Sequence, residues 1–142
     1  LEYLKGGELF VEVNSKKKNH KRYTEKQAAR IIRQVLNAVD YLHQNHIVHR
    51  DIKLENIMYV FGGEHHGSGR VKLIDFGTAI KISYGQYLTE VYGSPNYIAP
   101  EVLKRRYDYK ADVWSIGIIC VKLVMGIMPF EANNDSDIFK NI

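Results

Sequence analysis

Apolar residues recur in the first third of the chain at Ala28, Ile31, Val35, Val39 and Leu42, with Ile32, Leu36 and Ala38 widening the same stripe. Steps of three and four residues put such positions on one face of an α-helix, so the run predicts a helix from about Thr24 to Asn45. Thr24 and Gln27 have capping-box spacing, in which each side chain satisfies the other's backbone N–H, and this sets the start.

The pattern then changes. Short β-rich runs at Ile47–Val48, Ile57 to Val60 and Val71 to Ile74 predict small strands. The last two are joined by FGGEHHGSGR, whose glycines and polar residues suit a reverse turn. From Asp75 to Ile98 there is little periodicity, and a loop of that length in a compact domain reads as functional or mobile. Between about Lys110 and Gly126 the apolar residues surround the axis, which predicts a helix buried on all sides, with Pro129 marking its end. NDSDIFKNI then opens another helix, capped by Asp135 or Ser136. The sum is an α+β fold, mainly α-helical, with a small antiparallel β component.

Composition narrows this little. The 142 residues suit one domain, and 45% hydrophobic against 25% charged residues excludes disordered, collagenous and coiled-coil chains. The net charge of +4 comes largely from KKKNHKR, Lys16 to Arg22. Such a run attracts nucleic acid, acidic lipid or phosphate, but no aromatic residue interleaves it to stack on bases. It reads as a solvated loop, and no nucleic-acid partner is expected. Cys120 is the single cysteine, which allows no internal disulfide and points to a reducing, intracellular and cytoplasmic setting. The longest apolar segment, VWSIGIICVKLVMGIM, contains Lys122 and falls short of the roughly 20 residues that a bilayer requires, so no membrane span is expected. LEYLKGGELF has neither an initiator Met nor the layout of a signal peptide, and predicts a piece of a longer protein.

One stretch departs from folding logic. IVHRDIKLENIMYV, residues 47 to 60, sets acids, bases and an Asn between two apolar runs. His49, Arg50, Asp51, Lys53 and Asn56 fit H-R-D-x-K-x-x-N in every specified position. Asp75-Phe76-Gly77 follow an apolar run, and Ala99-Pro100-Glu101 come after them. A lone D-F-G carries little weight, but three motifs in this order resemble those of eukaryotic protein kinases.

The resemblance covers residues 1–142 and implies a partial kinase domain: the hinge and most of a C-terminal lobe, lacking the N-terminal lobe. It implies a reaction in which a protein Ser or Thr hydroxyl attacks the terminal phosphate of ATP in the presence of Mg2+. Asp51 would accept or orient the hydroxyl proton, Lys53 would stabilise charge on the transferring phosphoryl group, and Asn56 and Asp75 would hold magnesium. LEYLKGGELF resembles the hinge, so the Glu2 and Leu4 backbones would meet adenine and Leu1 would stand behind it. Met58 would close on the other face, and Glu8 would approach the ribose or a basic residue of the peptide substrate. DVWSIG resembles the start of the family's central helix, with Asp112 holding the catalytic-loop backbone from beneath. His49 and Phe76 would stack. Gly93 and Ser94 fall in the substrate loop; Lys53 and Ser94 favour Ser/Thr over Tyr specificity. Residues 94–130 look most like the calcium/calmodulin-dependent group, in particular calcium-dependent protein kinases.

There are departures too. The 142 residues contain no glycine-rich phosphate loop, no V-A-I-K lysine and no helix-borne Glu partner, so the polypeptide alone is expected to lack phosphotransfer. A non-catalytic, pseudokinase-like interaction module is the alternative. Leu54 stands where Pro is common, a change without charge. By the same resemblance, the Arg that pairs with Glu101 lies beyond residue 142. Arg50 marks an activation segment ordered by negative charge. Ser83, Tyr84, Tyr87, Thr89 and Tyr92 can carry a phosphate there, and Glu90 offers a built-in carboxylate. His65 and His66, like His43 and His46 at i, i+3 spacing, read as structural or solvated, because no carboxylate or thiol set accompanies them.

Overall fold

The computed structural model describes residues 4–18, 22–61 and 69–142. Leu1 and Glu2 of the expected hinge, and His65 and His66, lie outside them. The chain opens with α1 (Leu9–Lys18), a helix that the apolar pattern did not announce. Leu9 and Val13, one turn apart, are its buried anchors, and Glu12 pairs with Lys16 at 3.8 Å. The Lys16 ammonium also stands 4.7 Å from the centre of the Tyr23 ring. The first part of the basic run is therefore the last turn of a helix and not a loop.

The expected long helix is α2 (Glu25–Gln44), and both bonds of its capping box form: Thr24 Oγ1 accepts the Gln27 N–H, and Gln27 Oε1 accepts the Thr24 N–H. Its buried residues are Ala28, Ile31, Val35 and Val39, the core of the predicted stripe. Among the described residues four short strands follow: β1 (Ile47–Val48), β2 (Ile57–Tyr59), β3 (Val71–Leu73) and β4 (Ile80–Lys81). β2 pairs antiparallel with β3, Ile57 opposite Leu73 and Tyr59 opposite Val71. β1 pairs antiparallel with β4, which lies inside the segment expected to be a loop. Gln34 on α2 fixes the start of β3, its amide accepting the Val71 N–H and donating to the Gly69 carbonyl.

After a short 3-10 turn at Pro95–Tyr97 come α3 (Pro100–Leu103), α4 (Lys110–Met125) and α5 (Asp135–Asn141). α4 packs on α2, and together with α1 and β2 they enclose the larger core, which contains Ile31, Val35, Tyr59, Ile116, Ile119 and Leu123. α4 is not buried all round: Val113 is 49% and Met125 51% exposed. Gly126 ends it in the left-handed conformation with φ 76°, donating to the Lys122 carbonyl, three residues before Pro129. The cap of α5 is Asn134, whose side chain accepts the Asp137 N–H; Asp135 and Ser136 lie one and two residues too far along to do so. A second core of Val48, Ile82, Leu88, Ile98, Val102, Tyr107 and Ala111 gathers the other side of the molecule.

The segment ahead of α1 lies against β2. Gly6 donates to the Tyr59 carbonyl and Tyr59 to the Gly7 carbonyl. An added Cβ at Gly6 would collide with the Tyr59 Cβ and backbone, so only glycine allows this approach.

Candidate active site

The stretch between β1 and β2 is a loop whose backbone is held by one buried carboxylate. Asp112, in the first turn of α4 and 1% exposed, accepts the N–H of His49 on Oδ2 and of Arg50 on Oδ1, each at 2.9 Å. His43, near the end of α2, donates through Nε2 to Oδ2, also at 2.9 Å. A carboxylate leaves water only when its lone pairs find such partners. Arg50 has φ 70°, a left-handed conformation that costs a non-glycine residue roughly 1–2 kcal/mol, and the Asp112 bond offsets it. The loop closes in a 3-10 turn, Leu54–Asn56, with Leu54 fully buried as its anchor.

This frame gathers Lys53, Asn56 and Ser94 around Asp51, each within hydrogen-bonding distance of it. Lys53 Nζ is 2.7 Å from Asp51 Oδ2 and donates to Ser94 Oγ at 2.9 Å. Ser94 in turn gives Asp51 Oδ1 both its hydroxyl, at 2.9 Å, and its N–H, at 3.2 Å. Burial pushes the Asp51 carboxyl upward, but the bonds from Lys53 and Ser94 outweigh it and hold the group below its ordinary value. The carboxylate is ionised at neutral pH.

Asn56 donates to the Asp51 carbonyl at 2.9 Å and to Asp51 Oδ2 at 3.2 Å. Both partners are acceptors only, so the NH2 must face them and the amide oxygen points elsewhere. Asn56 also accepts the Ile74 N–H on its carbonyl at 2.8 Å, which draws Asp75 alongside. Asp75, exposed and left-handed with φ 60°, uses one carboxylate oxygen to accept the Gly77 N–H. An amide oxygen and a carboxylate oxygen on neighbouring residues are the hard donors that magnesium prefers, so this pair fits the ion.

His49 is wholly buried and its ring lies 5.1 Å from that of Phe76, tilted by 58°. Burial lowers the His49 pKa, and the negative charge of Asp112 opposes this without reversing it. Its Nδ1 accepts the Asp51 N–H at 3.3 Å, as the neutral ring can. Arg50 reaches the other way. Its Nε donates to the Thr78 carbonyl at 2.6 Å and a terminal nitrogen stands 3.6 Å from Glu90 Oε2, while Thr89 beside it is exposed. Gly93 has φ 117°, and a Cβ there would meet the Arg50 carbonyl at 2.9 Å. On the hinge side, Glu8 and Met58 face each other in an isolated antiparallel bridge, and Leu4 is half-buried ahead of them.

The sequence profile of the protein kinase domain matches residues 1–142. The chain belongs to the protein kinase family. It is 42% identical over 137 residues to calcium-dependent protein kinase 4 of Plasmodium berghei, an alignment covering 96% of this chain and 25% of that protein. It is 42% identical over 142 residues to calcium-dependent protein kinase 10 of Oryza sativa, covering 100% and 22%. With calcium-dependent protein kinase 11 of Arabidopsis thaliana it shares 39% over 142 residues, 100% and 27%. The chain thus spans about a quarter of the length of these curated relatives.

Within this kinase domain the structure brings Asp51, Lys53, Asn56 and Ser94 together, sets Asp75 beside Asn56, and pairs Arg50 with Glu90. Three contributors escaped the sequence reading. His43 has the structural role that the sequence allows it, but the partner it donates to, Asp112, could not be named from the sequence. Thr78 fastens the segment after Asp75 by donating its hydroxyl to the His49 carbonyl. Tyr107 donates to the Glu90 carbonyl at 2.7 Å. His43 was findable, since its spacing puts it on the apolar face of α2 near the end; Tyr107 had no signal. Among the described residues Glu101 makes no ion pair. No described helix is long and apolar enough to cross a membrane.

Proposed function

We propose that the chain is the C-terminal lobe of an ATP-dependent protein serine/threonine kinase. The observation that carries this reading is the Asp51 carboxylate, kept ionised by Lys53 and Ser94 beside the oxygen pair of Asn56 and Asp75. In the reaction, an oxygen of Asp51 accepts the proton of a Ser or Thr hydroxyl as the hydroxyl oxygen bonds to the γ-phosphorus and the bond from that phosphorus to the ADP oxygen breaks. Lys53, already on Asp51, offers its ammonium to the charge on the phosphoryl oxygens. Asn56 and Asp75 would hold magnesium, which when bound neutralises phosphate charge. Glu8 and Met58 line the nucleotide side, with Leu1, Glu2 and Leu4 as the hinge, and a basic peptide is the expected kind of substrate. An intracellular location is part of the reading, supported by the single cysteine.

The test is Asp51→Asn in the full-length protein, with magnesium, ATP and a basic peptide. Phosphotransfer falls by about 10²- to 10⁴-fold while the fold, followed by circular dichroism, is kept. Undiminished turnover would remove Asp51 from its role. We also propose that Glu90 is the built-in partner of Arg50, because it is the carboxylate that reaches the guanidinium. Glu90→Gln should then make activity depend on a phosphate in the segment; full activity without phosphate would reject it.

A further inference from the structure

The pairing of Arg50 with Glu90 is an incomplete anchor. The Arg50 side chain is 8% exposed, but that of Glu90 is 67% exposed. The 3.6 Å between them is too long for a hydrogen bond, and ion pairs so open to water are weak. The same terminal nitrogen of Arg50 is buried without a hydrogen-bond partner. A buried guanidinium of this kind needs another source of negative potential.

The Thr78 carbonyl on Nε and the Tyr107 side chain supply part of it, and an aromatic face supplies more. The Arg50 guanidinium carbon lies 4.3 Å from the centroid of the Tyr92 ring, within the range where the negative face of an aromatic ring attracts a cation. The backbone explains how Tyr92 gets there. Gly93 follows with φ 117°, and its close approach to the Arg50 carbonyl leaves no room for a Cβ. That turn puts residue 92 against Arg50 on one side and Ser94 on Asp51 Oδ1 on the other. Upstream, the segment is held by the Leu88–Tyr107 bridge and by the Tyr107 hydroxyl on the Glu90 carbonyl.

We propose that Tyr92 is a positioning residue of the active site: its ring, stacked on Arg50, holds residues 88–94 so that Ser94 stays on Asp51, without a phosphate on the segment. The ring face is what acts, and the hydroxyl is dispensable. For catalysis this rests on the kinase reading above; for the order of the segment it does not.

The experiment uses the full-length protein treated with phosphatase, comparing wild type, Tyr92→Phe and Tyr92→Leu. The readouts are amide hydrogen exchange across residues 86–94 and the separate kcat and KM values for ATP and a basic peptide. Tyr92→Leu, which keeps an apolar side chain but loses the π face, should speed exchange and lower kcat/KM about fivefold through kcat, with KM for ATP unchanged. Tyr92→Phe should restore both. Wild-type exchange in the Leu variant would overturn the proposal, as would a Phe variant as impaired as the Leu one. A wild-type protein without phosphotransfer would defeat the kinase reading instead, and the Phe-against-Leu contrast in exchange would still decide the anchor.

Discussion

At the scale of single residues, much of the site depends on Asp112, which touches no reacting group. Asp112→Asn replaces one acceptor oxygen with an NH2 that must face a backbone N–H of His49 or Arg50, or the N–H of His43. We expect a loss of about 3 kcal/mol in urea unfolding, the cost of breaking a buried charged network, together with lower phosphotransfer as the left-handed turn at Arg50 relaxes. Two lowered pKa values make a second prediction. Burial keeps His49 neutral, so below its ordinary value of about 6.5 the unfolded chain binds a proton that the folded chain refuses. That stability is complete above pH 6.5 and is lost as the pH falls through the lowered folded value. Asp51 behaves likewise in a more acidic window, beginning near its ordinary value of 3.8. Unfolding free energy measured against pH should therefore decline in two stages, and His49→Phe should flatten the first alone.

At the scale of elements, the strongest local signals were the ones that needed no partner. The capping box of α2 is written in Thr24 and Gln27, and Thr24→Ala should cost about 1 kcal/mol, read as a lower urea midpoint with an unchanged slope. The apolar stripe of that helix and the pairing of β2 with β3 were legible for the same reason, since period and turn residues lie close together in the chain. β4 was not: Ile80–Lys81 is too short for a pattern, and it becomes a strand only because β1 offers an edge. α1 stayed hidden because Leu9 and Val13 make a stripe of two, and because the basic residues at its end read as a loop. The motifs identified the loop of Asp51 and Asn56 at once, and DVWSIG its main support, Asp112; the lesser fastenings stayed hidden, since His43, Thr78 and Tyr107 are common residue types whose meaning is set by contacts distant in sequence. Gly6 belongs with them. Gly6→Ala should push residues 5–8 off β2 and separate Glu8 from Met58, seen as faster amide exchange at Tyr59.

At the scale of the molecule, the site is a seam between two cores. Ile52, Leu54 and Ile57 root the catalytic loop in the larger one, while Val48, Ile82 and Leu88 root its flanking strand and the segment beyond Asp75 in the smaller. Trp114 packs against both, so the two halves of the site move with one helix, α4. On the proposed reading this arrangement would supply a base for the hydroxyl, an ammonium beside it and two oxygen donors for a cation. Among the described residues no group clamps the β- and γ-phosphates from the opposite side, and the 142 residues contain neither a glycine-rich loop nor a V-A-I-K lysine. Phosphoryl transfer rests on positioning ATP as much as on activating the hydroxyl. The 142-residue polypeptide by itself, given ATP, magnesium and a basic peptide, should therefore turn over far below the roughly 1–100 per second of ordinary kinases. A rate within that range would mean that the hinge strip and the Asn56–Asp75 pair hold ATP in line unaided, and that the phosphate clamp is not required for this chain's chemistry.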